Sequence, residues 1–210
     1  MTARLRRRSF LAGAVVATVS RAVAAAPVPT FGLRLHHAEG AGGHRPLHHA
    51  TRSLELARTI YRPLGFDLVI AETANLDATM NRIESLAMRD ALSRFVAPGV
   101  IDVFLVEALR DSVARDVWRM GVTWDSRTNP VRRYVILTND AMESSLAHEL
   151  GHYFGVPEHS ATKNNLMSYD REDALVLLDD GQKARIRAGA ERLAKSGTLR
   201  TVAADGAASS

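Results

Sequence analysis

The sequence has 210 residues, a formal net charge of +4 at pH 7 and no cysteine. Residues 1–24 hold five arginines and no acidic residue, so the formal net charge of the remaining chain is −1. The absence of cysteine excludes disulfide bonds, and the charge of the remaining chain indicates no nucleic-acid-binding surface.

The first 24 residues have the features of an export signal. Arg6-Arg7-Arg8 and Ser9-Phe10-Leu11 precede an apolar stretch that extends to Val19, and Ala22-Val23-Ala24 has the small-x-small pattern of a cleavage site. The Arg-Arg-x-Phe-Leu core resembles signals of the twin-arginine type. We therefore expect a signal peptide at residues 1–24 and export to the periplasm or the extracellular space. No later segment reaches the roughly 18 apolar residues that a membrane-spanning helix requires, so we expect no membrane contact after the signal is removed.

Residues 25–195 predict a single domain in which strands and helices alternate. Alternating or continuous apolar residues predict strands at 31–35, 66–70, 100–106, 120–124 and 133–137. Apolar residues at helical spacing predict helices at 47–62, 80–95 and 180–193. Residues 196–210 are rich in alanine, glycine and serine, and we expect this tail to be disordered.

A histidine-rich segment lies between the first predicted strand and the first predicted helix. It contains Glu39 and the histidines His36, His37, His44, His48 and His49. These side chains could bind a second metal ion or pass a metal to another site. Their spacings do not define one coordination geometry, which favours the alternative interpretation as a flexible polar loop.

A further helix is predicted to begin at Asp140. Asp140 and Glu143 have the spacing of a capping box, in which two side chains satisfy free backbone N–H groups at the start of a helix. Leu146 and Leu150 would then fall on one face of the helix and two histidines on another. The leucine face would be buried, and the histidine face would line a cleft.

This helix carries the sequence His148-Glu149-Leu150-Gly151-His152. Residues four apart share one face of a helix, so the imidazoles of His148 and His152 can reach one tetrahedral Zn²⁺ ion. Glu149 lies about 100° around the helix, beside the metal, where its carboxylate suits a general base acting on a zinc-bound water. The pattern is typical of a zinc hydrolase.

The chain is predicted to turn just after the second histidine. Gly155 can adopt the left-handed conformation that ends a helix, and Pro157 cannot continue one. Such a turn brings a later side chain back over the metal. Glu158 and His159 both lie in the right place to be the third ligand.

The sequence of the helix and turn resembles the metzincin clan of zinc endopeptidases. The pattern of this clan is H-E-x-x-H-x-x-G-x-x-H, or the same with a final aspartate, followed by a methionine turn to which Asn165–Tyr169 is similar. Counting forward from His148 places the third ligand at Glu158. Counting back from Met167 places it at His159, as in matrixins with one residue inserted. Imidazole is the commoner zinc donor, which favours His159 and keeps Glu158 as the alternative.

The resemblance implies an α+β fold and roles for further residues. The implied catalytic domain has a twisted mixed five-stranded sheet with two helices, the active-site helix, the methionine turn and a C-terminal helix. Met167 would form a hydrophobic floor beneath the ligands. Tyr169 would be an extra, displaceable zinc ligand and a donor to the developing oxyanion, or else would simply line the substrate pocket. The strand at 120–124 would be an edge strand that pairs with an extended substrate, or a structural edge strand without this role.

Residues and resemblance together predict an exported zinc endopeptidase. Such a hydrolase would act as a monomer on protein or peptide substrates with one catalytic zinc ion. A different class of function is an exported zinc-binding protein without peptidase activity, which would have no use for Glu149. A third is a zinc hydrolase of non-peptide amides or esters. The absence of cysteine excludes the cysteine switch of matrixin propeptides.

Overall fold

The computed structural model describes residues 28–38, 45–114, 116–129 and 132–203. The predicted signal peptide, residues 1–24, lies outside this part of the chain, and so do Glu39, His44 and residues 204–210. Of the helices in the described part, none is long and apolar enough to span a lipid bilayer.

The described strands form a five-stranded sheet and a separate two-stranded pair. In chain order they are β1 (Thr30–Ala38), β2 (Asp67–Leu76), β3 (Arg82–Ile83), β4 (Ile101–Val106), β5 (Ala108–Leu109), β6 (Gly121–Asp125) and β7 (Arg133–Thr138). The large sheet has the order β2-β1-β4-β7-β6, and its first four strands are parallel. β6 is an edge strand, antiparallel to β7, whereas β3 pairs with β5. The predicted mixed five-stranded sheet is confirmed.

Helices cover one face of this sheet. They are α1 (Arg45–Tyr61), α3 (Ser144–Tyr153) and α4 (Asp180–Lys195), and a short helix, α2 (Leu86–Ala91), belongs to the chain between β3 and β4. Ile101, Val103 and Leu105 of β4 face the core that α1, α3 and α4 cover, whereas Phe104 and Val106 face a second core on the opposite side. All six residues of β4 are buried between the two layers, which suits a nearly continuous apolar strand.

The predicted helix over residues 80–95 is wrong for residues 80–85, whereas α2 and the 3₁₀ helix Leu92–Phe95 that follows it cover the rest. Ile83 lies in β3 instead, and its carbonyl accepts a hydrogen bond from the backbone N–H of Arg110 at 2.8 Å. The side chain of Ser85 then caps α2, so the helix starts only after this residue. Pairing with a distant segment therefore overrides the helical spacing of the apolar residues.

The interpretation of the histidine-rich segment as a flexible loop is wrong where the segment is described. His36 and His37 lie in β1, because this strand pairs with both β2 and β4 as far as His37. His48 and His49 lie in α1. No cluster of three potential metal ligands in the described residues includes any of these four histidines. Each of them belongs to a regular element.

The prediction of a disordered tail is wrong for residues 196–203. Gly99 forms two backbone hydrogen bonds with this segment, donating to the carbonyl of Thr198 at 3.0 Å and accepting from Arg200 at 2.9 Å. Leu199 is buried against the core. The composition of the tail, rich in small and polar residues, gave no sign that one apolar side chain packs against the core. The domain therefore extends past residue 195.

Candidate metal centre in the cleft

The helix that carries two of the histidines, α3, is capped by a distant side chain. The carboxylate of Asp173 accepts hydrogen bonds from the backbone N–H groups of Glu143 at 3.1 Å and Ser144 at 2.9 Å. Glu143 occupies the N-cap position without a side-chain bond, so the predicted capping box with Asp140 is wrong. The cap comes from 30 residues further along the chain, where a local sequence pattern cannot reveal it.

Backbone carbonyls orient both histidines of α3. Nδ1 of His148 lies 2.7 Å from the carbonyl oxygen of Leu166, and Nδ1 of His152 lies 2.6 Å from that of Val156. A carbonyl can only accept, so each neutral ring carries its proton on Nδ1. Nε2 of each ring is therefore left with a free lone pair, which is the arrangement that protein ligands of metal ions use.

A third histidine joins this pair after the turn. Gly155 has a φ of 110°, the left-handed conformation that the sequence predicts. The chain returns so that the ring centroid of His159 lies 4.8 Å from that of His152 and 5.3 Å from that of His148. One potential ligand nitrogen from each of the three rings lies within 4.8 Å of the others.

The spacing of these nitrogens fits a zinc ion. Nε2 of His152 lies 3.3 Å from Nε2 of His159. Two ligands of a tetrahedral zinc ion, each about 2.0–2.1 Å from the metal, are also separated by about 3.3 Å. Glu158, the other candidate for third ligand, is outside the group: its carboxylate accepts a hydrogen bond from Arg185 at 2.7 Å. The structure thus brings His159, and not Glu158, to the histidine pair.

Burial favours the neutral form of these imidazoles, most strongly at His148, since His152 is half-buried and His159 is exposed. It lowers the pKa of His148 to about 3, although the carbonyl of Leu166 opposes the shift. Burial also lowers the pKa of His152 and of His159. Neutral imidazole is the form that binds a metal ion, so at neutral pH no proton has to leave these rings first.

Glu149 is a buried carboxyl group beside the histidines. Burial raises its pKa to about 7, against hydrogen bonds from Thr123 in β6. Oγ1 of Thr123 lies 3.1 Å from Oε2 of Glu149 and 2.5 Å from its backbone carbonyl oxygen. A Cβ atom at Gly121 would lie 3.1 Å from Oε1, so the edge strand passes directly over the carboxyl group. The sequence pattern identified Glu149 but gave no signal for Thr123 or Gly121.

The methionine of the predicted turn packs beneath α3. Met167 is fully buried, and its Sδ atom would lie 2.6 Å from a Cβ atom at Gly151. A larger residue at this position of the helix would force the side chain of Met167 to shift. Oδ1 of Asn165 accepts from the backbone N–H of Met167 at 2.9 Å, and the amide group of Asn165 is hydrogen-bonded in both directions to Gln182 of α4. Asn165 thereby links Met167 to α4.

Tyr169 stacks on the third histidine at the mouth of the site. Its ring centroid lies 4.2 Å from that of His159, and 64% of the residue is exposed. Nη1 of Arg119 lies 3.4 Å from the tyrosine hydroxyl. Arg119 is itself in an ion pair with Asp111. The hydroxyl is therefore close to the histidine group and held by a cation from the opposite wall.

The three histidines, Glu149 and Tyr169 line one cleft of about 620 Å³. Residues of the edge strand β6 and of α3 line its two sides. Trp118 and Met120 are partly exposed at the rim just before β6. The strand predicted at 120–124 is present, and it lies where an extended chain in the cleft would meet the unpaired edge of the sheet.

No protein-family model and no curated protein matches the sequence. The fold is similar to that of metalloproteinase-II from Bacteroides fragilis, with a TM-score of 0.54 and 16% identity over 80% of this chain. This chain spans 55%, about half, of that protein's chain. A zinc-dependent peptidase from Methanocorpusculum labreanum has a TM-score of 0.41 and 11% identity, over 74% of this chain and all of its own. At 16% identity, the likeness to the Bacteroides fragilis protein shows a shared fold and no more.

Proposed function

We propose that this protein is an exported zinc-dependent endopeptidase that hydrolyses peptide bonds. The observation that carries the proposal is the convergence of three oriented imidazoles on one point, with the buried carboxyl group of Glu149 beside them. The fold shared with a protein described as a metalloproteinase supports the same conclusion. Export is proposed from residues 1–24, and the enzyme would act as a monomer.

The donor set fits one zinc ion. His148, His152 and His159 supply three neutral nitrogens, which is the ligand number of a catalytic zinc site with one open coordination position. The chemistry that such an ion supplies is polarisation of a carbonyl group and activation of a water molecule. The chain itself has to position the substrate and move the proton.

Glu149 is the residue that would move this proton. A pKa of about 7 allows the carboxylate to accept a proton from the attacking water and to return it to the leaving amine nitrogen at neutral pH. The hydrogen bond from Thr123 to Oε2 leaves Oε1 for this work and fixes the orientation of the group. These contacts and this pKa support Glu149 as the general base and then the general acid.

Tyr169 would assist at the carbonyl oxygen of the substrate. Its ring stacks on that of His159, so a small movement of the side chain brings its hydroxyl towards the ligand group. The hydroxyl would then donate to the oxygen on which negative charge develops. A peptide bound along β6 would form main-chain hydrogen bonds with this edge strand, which is how extended peptides are commonly recognised.

The alternative function is an exported zinc-binding protein without peptidase activity. Such a protein would also need the three histidines. It would not need a buried carboxyl group covered by the edge strand, because burial of an ionisable group is costly when nothing uses it. The position of Glu149 therefore favours the endopeptidase.

The test is hydrolysis of a denatured protein mixture by the purified protein lacking residues 1–24. We expect new peptide termini to appear with one equivalent of zinc, to disappear after treatment with a chelator, and to return when zinc is added back. Zinc binding at one site per chain without any new termini would support the alternative.

A further inference from the structure

The charged side chains of the cleft do not balance. Among the described residues that line it, three are carboxylates, Asp111, Asp125 and Glu149, and four are arginines: Arg89, Arg119, Arg133 and Arg171. Arg119 is in an ion pair with Asp111, and Arg133 with Asp125. Arg89 and Arg171 have no carboxylate oxygen within 4.0 Å in the described part of the chain. The cleft therefore contains two guanidinium groups without an ion-pair partner in the described chain, although Glu149 and Asp173 act on Arg171, and Asp111 on Arg89, at longer range.

Arg171 lies beside the histidines. Its Nε atom donates to Oγ of Ser144 at 2.9 Å, and Nη1 donates to the carbonyl oxygen of Ser168. These neutral acceptors fix the guanidinium between the start of α3 and the segment after Met167. Arg171 lines the same cleft as the three histidines.

Arg89 lies further along the cleft, beyond the edge strand. Only 3% of the residue is exposed, and burial lowers the pKa of its guanidinium. It donates to the carbonyl oxygen of Arg110, and its guanidinium lies over the ring of Trp124, 5.0 Å from the centroid. It also lines a second cavity of about 390 Å³ that adjoins the cleft. This buried cation thus lines two cavities, and in the described part of the chain it has no ion-pair partner, although Asp111 acts on it at longer range.

Neutral partners do not replace a counter-ion. Removing a charged group from water is costly unless an opposite charge compensates it, and arginine with carboxylate is the pair whose two-pronged geometry does this best. Hydrogen bonds to carbonyl and hydroxyl oxygens orient the guanidinium groups of Arg89 and Arg171 but do not neutralise their positive charge. An anion that enters the cleft from outside would be attracted by both.

We propose that the cleft selects peptide segments with acidic side chains, which pair with Arg171 next to the scissile bond and with Arg89 further along β6. This rests on the proposed endopeptidase function and adds the class of substrate to it. The zinc ion would add positive charge to the same cleft, so the preference for acidic segments would be stronger in the metal-loaded protein.

The test compares matched peptides. A bond that the zinc-loaded protein cleaves in a denatured protein mixture is copied into short peptides in which each flanking position holds either glutamate or glutamine. We expect glutamate at one or more positions to raise kcat/KM at least tenfold over glutamine. Arg171→Gln should reduce this ratio to within about twofold of one, and Arg171→Lys should restore most of it, because lysine keeps the charge.

Arg127→Gln is the matched control. Arg127 lies near Trp124, is largely exposed and is in an ion pair with Asp90, but does not line the cleft. The same loss of one positive charge should leave the glutamate-to-glutamine ratio unchanged there. Thermal unfolding of each variant identifies any variant that has lost its fold, and Arg89→Lys, which keeps the buried charge, provides a second variant.

Peptide binding separates this inference from the proposed function. The zinc-loaded Glu149→Gln variant is titrated with the same peptide pairs, or with acidic and amidated peptides of random sequence if nothing is cleaved. Tighter binding of the acidic member without any cleavage by the unmodified protein supports the acidic cleft and overturns the endopeptidase. Cleavage of both members at equal rates, with equal binding, overturns the proposed preference for acidic segments and leaves the proposed endopeptidase function unaffected.

Discussion

Two regions of this protein place histidines next to carboxyl groups, and they do so in opposite ways. In the sheet, Nε2 of His36 lies 2.7 Å from Oδ1 of Asp102, and Arg34 forms an ion pair with the same carboxylate. In the cleft, no carboxylate of the described residues pairs with the histidine nitrogens that face each other, and the carboxyl group of Glu149 accepts a hydrogen bond from the hydroxyl of Thr123.

The difference concerns which ring nitrogen of a histidine is left available to a metal ion. His36 and His148 are both buried, so burial alone does not distinguish the two regions. His36 uses Nε2 for a carboxylate and stacks on Phe104, with ring centroids 4.3 Å apart, so this nitrogen is already paired. His148 and His152 use Nδ1 for a carbonyl and keep Nε2 free. Which ring nitrogen is hydrogen-bonded within the protein therefore decides whether the histidine can bind a metal ion.

The largest expected effect comes from the carboxyl group of the cleft. Glu149→Gln should lower kcat by on the order of 10²–10⁴ and leave one zinc ion bound, since the amide keeps the shape but cannot accept the proton. Activity on a cleaved peptide and zinc content of the purified variant measure the two properties. Asp102→Asn is the control at the other carboxyl group: it should keep the rate constant of the folded enzyme. Comparable activity of Glu149→Gln would remove this residue from the mechanism.

The third ligand gives the next largest effect. His159→Ala should weaken zinc binding by more than about 100-fold, because two protein donors hold the ion poorly, whereas Glu158→Ala should change it by less than about tenfold. Glu158 lies only one residue away and pairs with Arg185 at the surface, so it is the matched control. Zinc titration against a competing chelator measures both variants. The reverse ranking would mean that the turn closes differently around the metal.

The sequence revealed the part of the site that depends on local spacing. Residues four apart on one helix, and a glycine able to turn the chain, predict His148, His152 and the position of Gly155 without any knowledge of the fold. The choice between Glu158 and His159 could not be made in this way, since a one-residue insertion in a turn leaves both counts plausible. Only the closed turn shows which side chain reaches the pair.

The sequence did not reveal what depends on distant contacts. Asp173 caps α3 and Thr123 holds Glu149, and neither residue is near its partner in the chain. The error in the first part of the helix predicted over 80–95 has the same cause, since β3 forms by pairing with β5. Apolar spacing describes which residues are buried, but backbone pairing decides the element that buries them.

A smaller effect is expected in the region that binds no metal. His36→Ala should lower the free energy of unfolding by about 1–3 kcal/mol, because it leaves an oxygen of the buried Asp102 without one of its partners. The zinc affinity of the variant should be unchanged. Chemical denaturation and the same chelator competition measure the two quantities. A loss of zinc from this variant, at a concentration of denaturant where it is folded, would contradict the separation of the two regions.

The smallest effect concerns the pH dependence of zinc binding, and it tests the role of burial. Protons compete with zinc for Nε2 only below the pKa of each imidazole, so a lowered pKa moves the competition to lower pH. Three imidazoles with an ordinary pKa of about 6.5 would lose roughly tenfold in affinity each between pH 7.5 and 5.5, or about a thousandfold together. In the cleft, the pKa of His148 is about 3, and those of His152 and His159 are also lowered, all mainly by burial.

We therefore expect zinc affinity to fall by far less than a thousandfold over this range, with His148 contributing nothing to the fall. The measurement is chelator competition at fixed ionic strength from pH 7.5 to 5.5, corrected for protonation of the chelator. The three imidazole signals of the metal-free protein, followed by NMR, give each pKa directly. A thousandfold fall with three ordinary titrations would mean that water reaches all three rings in the metal-free protein. The hydrogen bonds to the carbonyls of Leu166 and Val156 would then orient the two rings of α3 without burial keeping them neutral.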